Sequence, residues 1–186
     1  MKTISKLLLG VVLVLGLVQT VADQTADEII EKYLAAVGGR AALGKLKSRS
    51  MTGTITVTLP VGGDVTGSVE ALNQAPNKTR NFIKVDLTSL GVGMVTQEQR
   101  FDGTTAYALD SLQGNREITG NQLDNIKNAS FPSPLLTYKD AGATVELGGK
   151  ETVGDREAWV LTFKPKAGSS VRQYVDAQSF LLIKQM

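Results

Sequence analysis

The sequence contains no cysteine and no histidine, a single tryptophan, and only 5% aromatic residues. Without cysteine an exported domain is not a disulfide scaffold. It also has no cleavage-site thiol for lipid acylation, so it is not a lipid-anchored lipoprotein. Without histidine it lacks the commonest general base and the commonest metal ligand. Neither a metal nor a cofactor is expected. A long apolar run is missing too. The longest, Leu7–Val18, is 12 residues, too short to cross a hydrocarbon core of about 30 Å as a helix.

That run has a different meaning. Lys2 and Lys6 precede it, and the small residues around Thr20 and Ala22 follow it. This is the three-part pattern of a secretory signal peptide, with cleavage expected after Ala22. The expectation is therefore a signal over 1–22 and one domain over 23–186, soluble and periplasmic. Lys2 and Lys6 are two of the 20 basic residues, and the 18 that remain equal the 18 acids. A neutral, interspersed charge balance argues against nucleic acid, whose binding needs a basic surface. The 164 residues after the signal are enough for one sizeable core.

The mature chain opens on a helix. Thr25 and Glu28 form a capping box, and Ile29, Ile30, Tyr33, Leu34 and Val37 recur at helical spacing. Gly38-Gly39 ends it, since glycine accepts a left-handed C-terminal cap. Arg40–Leu46 allows one further short turn of helix. The period then changes to two, with Met51, Gly53, Ile55, Val57 and Leu59 alternating with Thr52, Thr54, Thr56 and Thr58. That predicts a half-buried strand with a Thr-rich second face.

Turns then recur roughly every 8–12 residues, the spacing of an antiparallel all-β fold. They fall at Gly62-Gly63-Asp64, Ala75-Pro76-Asn77-Lys78, Thr88–Gly93 and Asp102-Gly103, the last a strong hairpin signal. Thr119–Ala129 reads as a polar helix that Phe131-Pro132-Ser133-Pro134 breaks. Short strands follow at Thr144–Leu147 and Glu151–Val153, around Gly148-Gly149. Longer ones follow at Arg156–Lys164, Val171–Asp176 and Phe180–Met186. The last reads as a strand still in progress, which suggests a chain truncated at its C-terminus. The predicted class is α+β, mainly antiparallel β. The predicted architecture is an open β-barrel or curved meander sheet, with the N-terminal and mid-chain helices over its concave face.

Several of these stretches resemble the LolA/LolB-like lipoprotein-carrier superfamily. They are Gly-Gly-x-x-Ala-Leu-x-x-Leu at Gly38–Leu46, Thr52-Gly53-Thr54, Ala75-Pro76-Asn77-Lys78 and Phe101-Asp102-Gly103. Gly154-Asp155-Arg156-Glu157-Ala158 and Tyr174-Val175-Asp176 complete the set. The resemblance implies an open antiparallel barrel with helices against its concave side. It further implies that acyl chains of lipids or lipoproteins are held there and carried between inner and outer membranes. No superfamily site residue is carried over, because these motifs are turn and strand signals.

A carrier needs an apolar concavity. Ile55, Val57, Val69, Ile83, Val85, Trp159, Leu161 and Phe163 are the candidates to line it, and a filled core is the competing reading for each. Arg80 and Arg100 are candidates for an anionic head group, with solvated surface arginine as the competing reading. Gly38 and Gly39 would hinge a movable helix. Asp64, Asp102 and Asp176 read as turn residues. Three functions follow. The first is a carrier or sensor of a hydrophobic ligand, with lipid or lipoprotein acyl chains and an envelope membrane protein as partners and a monomeric state. The second is a non-enzymatic envelope interaction module with a filled core. The third is a hydrolase, which would need two carboxylates about 5–10 Å apart. Paired acids such as Asp27 and Glu28 lie instead on a helix's solvent face, so no catalytic residue is assigned.

Overall fold

The computed structural model describes residues 24–60 and 62–186. The signal-peptide reading falls on residues 1–22, outside them. Helix α1 spans Ala26–Ala36. Its capping box forms as the spacing predicts: the Glu28 N–H donates to Thr25 Oγ1 at 3.2 Å, and the Thr25 N–H donates to Glu28 Oε2 at 2.9 Å. Gly38 and Gly39 end it at φ 115° and 85°, where a side chain would be strained. The Gly39 N–H donates back to the Leu34 carbonyl at 2.7 Å. A one-turn helix α2, Arg40–Leu43, follows.

Among the described residues, ten strands make up two sheets. The first six are β1 (Ser48–Thr58), β2 (Asp64–Gln74), β3 (Lys78–Leu87), β4 (Gly93–Phe101), β5 (Ala106–Asp110) and β6 (Arg116–Ile118). They form one antiparallel sheet in sequence order. Helix α3 (Gly120–Asn128) comes next, then β7 (Thr144–Val153), β8 (Arg156–Lys164), β9 (Val171–Asp176) and β10 (Leu182–Gln185). These four form a second antiparallel meander, also in sequence order, and neither sheet closes on itself. Sequential antiparallel pairing needs only short connections, which the Gly and Asp turns supply. Asp102 accepts the N–H groups of Thr104 and Thr105 at 2.8 Å, and Asp176 accepts those of Gln178 and Ser179. Asp64 accepts the Thr58 hydroxyl at 2.7 Å across its hairpin.

The two longer described helices, α1 and α3, divide the work unequally. Ile29, Ile30 and Leu34 of α1 are buried completely, and they share one core with Leu161, Phe163 and Val175 of the four-stranded sheet. Helix α3 covers one corner of the six-stranded sheet, where Ile126 and Leu123 pack on Phe101, Ala106 and Ile118. So α1 does not lie over the strand that follows it. The half-buried β1 expected from its alternation is solvent-exposed on both faces, with only Ile55 intermediate. It is an edge strand, and alternation reports which residues share a face, not whether anything covers that face.

Two further differences have local causes. Gly148-Gly149 does not separate two strands. It is a shift in the β7–β8 register between Leu147 and Lys150 inside one strand, which is a bulge of the kind glycine permits. Arg116–Ile118, without any strand signature of its own, becomes β6 by pairing with Ala106–Ala108.

Leu161, fully buried, and Val57, 38% exposed, should respond very differently to truncation. Leu161→Ala should lower unfolding free energy by about 2–5 kcal/mol. Val57→Ala should stay within about 0.5 kcal/mol of the parent. Urea unfolding measured side by side checks both.

Candidate binding site

Residues directly paired across antiparallel strands share a face. The pairings of β1 to β4 therefore define successive rows on one side of the six-stranded sheet. One row is Ile55, Gly67, Val85 and Val95. The next is Gly53, Val69, Ile83 and Gln97, then Met51, Ala71, Asn81 and Gln99, then Arg49, Asn73, Thr79 and Phe101. Each row lies roughly 7 Å from the last, two residues along the strand. The face thus changes from aliphatic to polar over three rows. Gly67 matters to the aliphatic part, because a Cβ there would meet the Lys84 carbonyl oxygen at 2.4 Å and Val85 Cγ2 at 2.7 Å. Only glycine lets β2 and β3 approach this closely under Ile55 and Val85.

At the aliphatic end, Val57, Leu59, Val65, Ile83, Val85, Leu87 and Val95 line an open hollow of about 160 Å³. An apolar cavity of about 150 Å³ holds a ligand the size of benzene. An extended chain would therefore lie along the open face, not inside an enclosed tunnel. At the polar end is a larger chamber of about 690 Å³ between the two sheets. Asn73, Asn81 and Gln99 reach it from the six-stranded sheet, Gln122, Asn125 and Asn128 from α3, and Gln173 and Gln185 from the four-stranded sheet. Among the described residues Arg49 is its one charged lining residue, and no acid lines either hollow.

The eight apolar candidates from the sequence separate into two groups. Ile55, Val57, Val69, Ile83 and Val85 share the uncovered face of the six-stranded sheet, and Val57, Ile83 and Val85 line its hollow. Trp159, Leu161 and Phe163 belong to the core beneath α1, with Phe163 also at the margin of the chamber. Arg80 and Arg100 face the opposite way, on the same side as the threonines of β1. There Glu70, Arg80, Glu98 and Arg100 form a ladder of alternating charge. Arg80 pairs with Glu70 at 2.5 Å and with Glu98, and Arg100 pairs with Glu98 at 2.6 Å. The Arg100 and Arg80 guanidinium groups hold the Glu98 carboxyl below its usual range. These guanidiniums already have carboxylate partners, so a head group would have to displace them.

Gly38 and Gly39 stand just after α1, as the hinge reading requires, but the helix they would swing is held at Asp27 and at Glu31. Asp27 bonds Tyr138 and Lys139, whose hydrogen bonds hold its carboxyl below the usual range. Arg40 bonds Glu31 and the Leu136 carbonyl. Swinging α1 away would also expose Ile29, Ile30 and Leu34, each worth roughly 1.5–3 kcal/mol of burial.

The chamber amides were not among the residues singled out from sequence. A signal for two of them exists. Asn81 alternates with Ile83 and Val85 in β3, and Gln173 sits between Val171 and Val175 in β9. A lone amide at an inward position of a strand is the mark to read. Among the described residues no group of three or more acidic side chains is placed to hold a metal ion. No helix among them is long and apolar enough to cross a membrane.

No protein-family model matches the chain, and no curated protein matches it by sequence. Solved structures of similar fold include a LolA superfamily protein from Nitrosomonas europaea, at 16% identity and a TM-score of 0.48, covering 87% of this chain and 70% of that one. An outer-membrane lipoprotein-sorting protein domain from Vibrio parahaemolyticus is similar at 11% identity and a TM-score of 0.49, covering 84% and 71%. A DUF1329 family protein from Desulfovibrio piger is similar at 14% identity and a TM-score of 0.47, covering 83% and 70%.

The ladder has a definite pH dependence. Glu98 is depressed in the folded state, so its stabilisation is present above the unfolded glutamate pKa of about 4.3. It is lost as pH falls through the lower folded value. Glu98→Gln should cost roughly 1 kcal/mol at pH 7, and the difference should shrink below about pH 4. Thermal unfolding of both proteins across pH 3–7 checks this.

Proposed function

We propose that this chain is a periplasmic carrier that binds the acyl chains of a lipid or lipoprotein on the uncovered face of its six-stranded sheet. One observation carries this reading. Val57, Val65, Ile83, Val85, Leu87 and Val95 form a continuous aliphatic surface around an open hollow. Among the described residues, α1 packs on the other sheet and α3 reaches only the Phe101–Ile118 corner. A soluble protein leaves a contiguous apolar surface open when something binds there. The signal-like N-terminus and the neutral mature charge agree with passage through the envelope. A membrane protein would load or unload the ligand. Leu90 and Val92, each about half exposed in the β3–β4 connection that follows Leu87, are apolar residues suited to that contact. The protein would act as a monomer and perform no chemistry. A hydrolase needs paired carboxylates facing its substrate, and among the described residues no carboxylate lines either hollow.

The alternative is an interaction module of the envelope with a filled core. Trp159 and Leu161, packed beneath α1, favour it for the four-stranded sheet alone. The two readings separate on ligand uptake. Protein isolated from periplasm without detergent should carry an acyl-chain species in native mass spectrometry. A fluorescent fatty acid should bind the delipidated protein. Ile83→Asp or Val85→Asp, at half-buried positions, should weaken that binding by about tenfold or more with little loss of stability. An apo mass together with no fatty-acid uptake would leave the interaction module as the reading.

A further inference from the structure

The larger of the two hollows, the one between the sheets, is not apolar. Its walls bring together eight carboxamides from six elements: β2, β3 and β4 of one sheet, β9 and β10 of the other, and α3. Two of the pairs are strand neighbours. Asn81 is paired with Gln99 on the six-stranded sheet, and Gln173 with Gln185 on the four-stranded sheet. Gln173 is only 6% exposed, and its Oε1 has no hydrogen-bond partner among the described residues. It lies in the chamber wall between aliphatic neighbours. A buried carbonyl left in this state costs its full desolvation unless a donor reaches it. Burial of an acyl chain here would leave it, and Asn81 and Gln99 with it, without partners.

The chemistry of the wall selects the occupant. A carboxamide donates through its NH2 and accepts through its oxygen. That matches a hydroxyl, which also does both, and adjacent hydroxyls can engage one amide twice. Without an acid, and with a single arginine whose Nη2 already donates to Asn73 Oδ1 at 3.1 Å, the wall has little to offer a multiply charged group. Tyr33 and Phe163 supply aromatic surface for the apolar face of a ring. An extended peptide binds through strand edges, whereas these amides stand on sheet faces and on a helix flank. About 690 Å³ lies within the usual range for a small-molecule site.

We propose that the chamber is a saccharide-binding site. It takes a neutral sugar, either free or as the head group of a glycolipid whose chains lie on the adjoining aliphatic face. The site itself stands on the chamber's own residues. The lipid-linked form rests on the acyl-chain reading above.

The experiment compares affinities for water-soluble dihexanoylglycerol with and without a glucosyl, galactosyl or N-acetylglucosaminyl head group, by calorimetry on the full mature chain. At least one glycosylated form should bind about tenfold or more tightly than the bare lipid. Gln173→Leu and Asn81→Ala should each remove most of that advantage and leave the affinity for the bare lipid unchanged. Should Gln173→Leu fail to fold, Asn81→Ala, at an exposed position, carries the test. Displacement by the free methyl glycoside would assign the site to sugar in either form, and no displacement would assign it to the head group alone. Binding of the methyl glycoside without any lipid binding would support the chamber and sink the acyl-chain reading. Equal affinity with and without every head group would overturn the proposal. Tighter binding of a hexanoyl dipeptide than of all the sugars would also overturn it, in favour of a peptide.

Discussion

Burial of the α1 stripe on the four-stranded sheet is the contact from which the rest of the arrangement follows. Ile29, Ile30 and Leu34 are removed from water completely, against Leu161 and Val175. At roughly 1.5–3 kcal/mol for each side chain, the gross gain rivals the net stability of an ordinary domain. The helix is therefore committed to that sheet. Asp27 at its start, and Arg40 of α2 through Glu31, then tie it to the Leu136–Lys139 segment. Among the described residues α1 is the longest helix, and with it used there only α3 is left for the larger sheet, with Ile126 its one buried residue.

The face whose aliphatic end no described element covers follows from this imbalance. Its rows run from valine and isoleucine to asparagine and glutamine along the same strands. Two kinds of ligand chemistry therefore adjoin on one surface, with about 7 Å between rows. An amphipathic molecule matches such a gradient better than a purely apolar one. An acyl chain gains by leaving water on the aliphatic rows. A polar group gains only where the amides can complete its hydrogen bonds.

The opposite side of the six-stranded sheet has a different role. Threonines on β1 and the Glu70, Arg80, Glu98, Arg100 ladder give it a hydrated, charge-balanced surface. Cross-strand pairs of opposite charge support the sheet modestly. The larger benefit is directional, because the two sides of each strand differ so strongly that a one-residue slip would be costly.

Local chemistry made much of this fold readable from the sequence alone. The capping box at Thr25 and Glu28, the Gly38-Gly39 stop and the Asp-Gly hairpin depend on near neighbours, and so do the two-residue alternation of β1 to β3 and the proline break after α3. The meander order followed from short turns. The shared face of Ile55, Val57, Val69, Ile83 and Val85 was equally legible, because alternation assigns sides. What the sequence could not contain is which side meets which element. The sheet that α1 covers was decided by packing between segments more than a hundred residues apart, as in the contacts of α1 with β8 and β9. That choice left β1 open, placed Trp159 and Leu161 in a filled core and turned Arg80 and Arg100 outward. Only the tertiary structure brought Asn81 and Gln99 opposite Gln173 and Gln185. Side-chain amides carry no periodic signal of their own, and their meeting depends on how two separate sheets face each other.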